Sequence, residues 1–181
     1  LVTLDELHRY IDSLPNRAYG KRQATRALSY VVELTASPKE THLAMHYGMP
    51  LDLGGRGPIA ISANQRINID EHGQRILEAT HLVGDLYLSE YKSDLEYDSI
   101  EFHTGSYRLD HTQARRNVLE AMQIKTISAT QGQIDTLQHF DDFTWLMESR
   151  IGREHVEADA GQRQAQKELF AWTDDKKRVL F

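Results

Sequence analysis

Two hydrophobic periods follow one another along the chain and divide it into helical and extended stretches. Residues 3–14 carry apolar side chains at Leu4, Leu7, Ile11 and Leu14, one face of a helix. Thr3 and Glu6 stand in capping-box spacing at its start. Pro15-Asn16 breaks the pattern, and residues 21–34 resume it through Ala24, Leu28, Val31 and Val32. A third start lies at Ser37-Pro38-Lys39-Glu40, with Ser as N-cap and Pro at the first helical position, and predicts a helix over residues 38–47. Gly48, Pro50 and the run Gly54-Gly55-Arg56-Gly57-Pro58 then read as loop. No strand precedes that run and no Gly-Lys-Ser/Thr follows it, so it is not a phosphate-binding loop.

From Ile59 the period shortens to two. Residues 59–61, 66–69, 80–89 and 94–100 read as strands, and the polar tract Glu90-Tyr91-Lys92-Ser93 joins the last two as an antiparallel hairpin. Helical spacing returns over residues 110–122, with Ala114, Val118, Leu119 and Met122 inward. A strand follows over residues 124–129, then a helix over 134–149 carrying Leu137, Phe140, Trp145 and Leu146. Beyond Gly152 the chain is highly charged, anchored by Leu169, Phe170, Trp172 and Val179-Leu180-Phe181, which suit docking on the domain or on a second copy. The pattern predicts an α/β domain over residues 37–150, with a mixed, largely antiparallel central sheet flanked by helices. A helical extension over 1–36 precedes it and a charged tail over 151–181 follows.

Composition narrows the chemistry. The 181 residues contain no cysteine, which removes disulfides, thiolate metal sites and a cysteine nucleophile; a metal would rest on carboxylates and imidazoles. No apolar run approaches the roughly 20 residues of a bilayer crossing, and no secretory pattern opens the sequence, so a cytoplasmic protein without a membrane partner is expected. A net charge of −6 argues against a protein that coats nucleic acid, but it is compatible with a carboxylate site that binds phosphate through a metal.

Alternation along the strands makes such a site. Leu82, Leu86 and Leu88 point one way and His81, Val83, Asp85 and Tyr87 the other. In the next strand Leu95 and Tyr97 alternate with Asp94, Glu96 and Asp98, successive acids lying about 7 Å apart. If the leucines and Tyr97 share one core, Asp85, Glu96 and Asp98 meet on the opposite face. Like charges gathered there raise one another's pKa unless a cation joins them, whereas an exposed face would simply be solvated. His42 and His46, at i,i+4 spacing, also admit a metal pair, although no His-Glu-x-x-His motif is present.

Several spaced elements resemble, in order, the PD-(D/E)XK nuclease superfamily. They are the helix opening Ser37-Pro38-Lys39-Glu40, the strand with Asp85, the run Leu95-Glu96-Tyr97-Asp98 with His103 behind it, the helix with Arg115-Arg116, and the strand over 124–129. The nearer likeness is to the branch related to very short patch repair endonucleases, which includes a domain of unknown function found with restriction, abortive-infection and toxin–antitoxin systems. It covers residues 37–149. The resemblance implies a restriction-endonuclease-like fold and metal-dependent hydrolysis of DNA phosphodiester bonds. Asp85 and Glu96 would ligate Mg²⁺ or Mn²⁺, and Asp98 would stand at the place of the superfamily's lysine. Glu40 would be offered from the first helix, His103 would act in proton transfer, and Arg115 and Arg116 would face the substrate. The sequence departs from the branch at Ser99, where glycine is usual, and by Ile100-Glu101-Phe102 before His103. The alternative implied by the same likeness is a non-catalytic component of a toxin–antitoxin or phage-defence system, binding DNA or a protein partner and with a homodimer as one possible assembly.

Overall fold

The computed structural model describes residues 2–98 and 106–174, apart from the side chains of residues 106–109. His103, Ser99, Ile100-Glu101-Phe102 and the anchor Val179-Leu180-Phe181 therefore lie outside the described residues.

Side-chain caps start the first and third helices. Helix α1 spans Leu4–Ser13, and at its start Thr3 and Glu6 exchange both bonds of a capping box. Helix α2 spans Lys21–Leu28, ending earlier than the apolar pattern suggests; Leu34 adopts a left-handed φ of 67° that a helix cannot contain. Helix α3 spans Pro38–Gly48 with Ser37 as N-cap. Its Glu40 reaches past the cap to accept from the backbone N–H of Ala36 at 2.7 Å, so the reciprocal box expected at this start is shifted by one residue.

The extended stretches form one four-stranded mixed sheet in the order β1-β2-β3-β4, and the fold is α/β. Strand β1 is continuous over Ile61–Asn68, bridging the two short strands expected there. After it Asp70 caps a short helix, α4, over Glu71–Leu77. Strands β2 (His81–Leu88) and β3 (Ser93–Asp98) pair antiparallel, as the hairpin reading expects, with Leu86 opposite Leu95. Helix α5 (Ser106–Ala121) crosses over to β4 (Lys125–Thr130), which runs parallel to β3 with Glu96 opposite Ser128. The expected helix over 134–149 is α7 (Leu137–Ile151), starting three residues later behind the Thr136 cap, and a separate short helix, α6 (Gln131–Ile134), precedes it. Within the charged tail, α8 (Ala160–Thr173) starts at an Asp159–Gln162 capping box and packs on α3.

Two apolar clusters cover the sheet. Leu86, Leu88, Leu95 and Ile127 pack against Leu43 and Tyr47 of α3 and Phe140, Phe143 and Met147 of α7. Along α7 the buried face is Phe140, Phe143, Met147 and Ile151, which corrects the expected one: Trp145 is 60% exposed, because helical rotation from Phe140 carries it to the solvent side. The second cluster joins Ile67, Leu77 and Leu82 to Val118 and Leu119 of α5, with Ala114 and Met122 packed beside them.

Strict alternation does not hold along β2. Leu86 and Leu88 belong to the first cluster, whereas Leu82 belongs to the second. The break lies at Asn64, whose φ is 48° and which is absent from the ladder between the pairs Ala63–Leu86 and Gln65–Gly84. A left-handed residue inside a strand re-aims the side chains beyond it. Asp85 stands across from that break.

Candidate functional site

The acids of β3 are not on a solvated face. Helix α5 lies over that face, and Asp94 is completely buried, Glu96 and Asp98 partly so. Sequence reading placed Asp94 beside Glu96 and Asp98 but assigned it no role. Its burial depends on Gly84: a Cβ there would lie 2.5 Å from Asp94 Oδ1, so the carboxylate occupies the space that any larger residue would fill.

One guanidinium organises the site. Arg115 Nη2 stands 2.7 Å from Glu96 Oε1 and 3.6 Å from Asp94 Oδ2, and donates to the carbonyl of Val83 at 2.7 Å. Both Asp94 oxygens are buried without a hydrogen-bond partner, so the guanidinium reaches Asp94 only as a nearby charge. Burial, with Glu96 beside it, pushes the Asp94 carboxyl up to about 7 against the pull of Arg115. The neighbouring Arg116 donates to Ser128 Oγ at 2.7 Å. The two arginines assigned to substrate thus both reach the sheet.

Asp85 sits where the pairing of β2 with β3 stops, and its Oδ2 accepts the backbone N–H of Tyr97 at 3.1 Å. Its carboxyl is raised, first by burial and then by the charges of Glu40 and Glu96, against that hydrogen bond and Arg115. Glu40 is therefore more than a capping residue: it is buried at the start of α3 and within electrostatic reach of Asp85. The structure draws together Glu40, Asp85, Asp94, Glu96 and Arg115. Asp98 follows on the same face of β3, opposite Thr130.

Among the described residues, no group of three or more His, Asp or Glu side chains is disposed to hold a metal ion. A hard cation needs fewer protein ligands: Mg²⁺ is commonly held by one or two carboxylates with waters and phosphate completing its shell. Asp85 and Glu96 fit that demand in donor type, and the unpartnered oxygens of Asp94 lie beside them. Glu96 is at present engaged by Arg115. His42 and His46, the other candidate pair, are packed in the core with their rings 4.5 Å apart and against Phe140 and Phe170. His46 is held well below its ordinary pKa by burial, then by His42 and Arg56.

No helix among the described residues is long and apolar enough to cross a membrane. No family model, curated protein or solved structure matches the chain.

Proposed function

We propose that the chain is a restriction-endonuclease-like protein whose acid site hydrolyses nucleic-acid phosphodiester bonds, DNA in the first instance, with a divalent cation. The observation that carries this reading is the geometry of the buried acid strip: Asp85 Oδ2 accepts the N–H of Tyr97, the residue next to Glu96, and Glu96 and the buried Asp94 lie against the same guanidinium, Arg115. Mg²⁺ or Mn²⁺ held by Asp85 and Glu96 would polarise a phosphate and lower the pKa of a water. The chain's own groups would do the rest. The Tyr97 N–H fixes one oxygen of Asp85, Arg115 offers a fork of donors suited to phosphate, and Asp98 is assigned the proton of an attacking water on the strength of the family resemblance. Protonation of the leaving oxygen is assigned to His103 on the strength of the family resemblance.

Titration calorimetry with Mn²⁺ tests the site. Heat is expected from the wild type and none from Asp85→Ala; a silent wild type would overturn the metal reading. Plasmid nicking by the same pair then reports turnover.

The second reading, a non-catalytic binding component that keeps the fold, is favoured by one contact: Arg115 already neutralises Glu96 at 2.7 Å. Mn²⁺ binding without cleavage of any duplex or single-stranded substrate would select it.

A further inference from the structure

At the β4 edge the charged face of the sheet opens into a cleft of about 550 Å³ between α5, β4 and α7. Arg116, Lys125 and Arg150 line it, with Glu120 as the single acid among the lining residues. In a chain of net charge −6 this is a local excess of cations.

Their partners are neutral. Arg116 donates to the hydroxyl of Ser128, and Lys125 to the backbone carbonyl of Arg150, at 2.7 Å each. Among the described residues none of the three enters an ion pair, whereas Arg26, Arg56, Arg115, Arg153 and Arg163 each meet a carboxylate. Arg116 Nε and Thr126 Oγ1, which also line this cleft or its floor, are buried without a hydrogen-bond partner. A half-buried guanidinium bonded only to a hydroxyl retains its full charge and an unsatisfied donor, and an anion entering the cleft would relieve both.

We infer that the cleft binds the phosphodiester backbone of a nucleic-acid strand. Three cations supplied by three different elements suit a chain of phosphates better than a single ion. The cleft also adjoins the acid site, since Ser128 pairs with Glu96 across one strand spacing, about 5 Å. A strand lying along Arg150, Lys125 and Arg116 would continue over β4 towards Asp85. Naming the polyanion a nucleic acid rests on the phosphodiesterase reading of that site.

Binding measured without metal separates the two. Fluorescence anisotropy with a short labelled DNA duplex and the matching single strand, in EDTA and over a salt series, reads affinity and its salt slope. The double variant Lys125→Gln/Arg150→Gln changes two exposed side chains and should weaken binding while lowering the log–log salt slope by roughly 2. Arg9→Gln/Arg22→Gln, an equal charge change on the first two helices, should leave the slope unchanged. An unaltered slope in the cleft variant, an equal loss in the control, or tighter binding of polyglutamate than of DNA would each overturn the proposal. A wild type that binds DNA through the cleft yet never cleaves it with Mn²⁺ supports the cleft and removes the nuclease. Metal-dependent cleavage indifferent to the cleft variant removes the cleft alone.

Discussion

The two faces of the sheet are made from the same strands and solve opposite problems. Towards α3 and α7, Leu86, Leu88, Leu95 and Ile127 are completely buried among other apolar side chains. Towards α5, the alternate residues of β3 are Asp94, Glu96 and Asp98, the first two lying against Arg115. The first face stabilises the fold by removing apolar surface from water. The second buries charge, and a buried ion pair seldom exceeds the desolvation it requires. The α5 side also carries the second apolar cluster, so the buried charge is confined to the β3 strip of that face, where it costs desolvation that an apolar strip would not.

Mutations on the two faces should therefore differ in size and in pH dependence. The largest effect is expected for Leu86→Ala, which leaves a cavity in the first cluster: a loss of about 3–5 kcal/mol by urea denaturation, the same at pH 5 and pH 8. Equal pH sensitivity on this face would dissolve the contrast. Next, Arg115→Met removes the cation shared by Asp94 and Glu96 while keeping the side-chain volume. Because Arg115 is about a quarter exposed, a loss of about 2–3 kcal/mol at pH 8 is expected rather than the full value of a buried pair. That loss should shrink at pH 5, where Asp94 holds its proton.

The smallest effect is a gain. The Asp94 carboxyl lies at about 7 in the folded protein against 3.8 when unperturbed, so between pH 4 and pH 7 the native state keeps a proton that the unfolded chain releases. Its contribution to stability therefore falls as pH rises through that window and levels off above it. Asp94→Asn, which keeps the shape and supplies a donor towards Glu96, should raise stability at pH 8 by about 1–2 kcal/mol and flatten the slope. Urea midpoints of the variant that track the wild type at both pH values would contradict the placement of that charge.

Much of the fold was legible in the chain. The caps at Thr3 and Ser37 mark where α1 and α3 begin, and the period-two stretches give β2, β3 and β4. The missed helices are instructive. Helix α4 has seven residues and buries only Gly73 and Leu77, too little for a periodicity to register. Helix α8 was obscured by its charge, although Asp159 and Gln162 carry the same capping signal as Thr3 and Glu6. In the candidate site, alternation put Asp94, Glu96 and Asp98 on one face. The pairing of Arg115 with Glu96 was not legible, because it joins a helix and a strand whose mutual placement depends on the α5 crossover. Nor was the switch along β2, which depends on one left-handed residue, Asn64, in the neighbouring strand.

The sequence by itself determined which residues of β3 share a face, where α1 and α3 start and that any metal would have to rest on oxygen or imidazole. These are consequences of local backbone geometry and of composition. Only the tertiary structure decided that the acidic face is covered and that Gly84 makes room for Asp94. It alone brought Glu40 within electrostatic reach of Asp85 and gave Glu96 a guanidinium partner. Burial and charge pairing between distant segments are set by how helices pack across the sheet, and no local pattern encodes that packing.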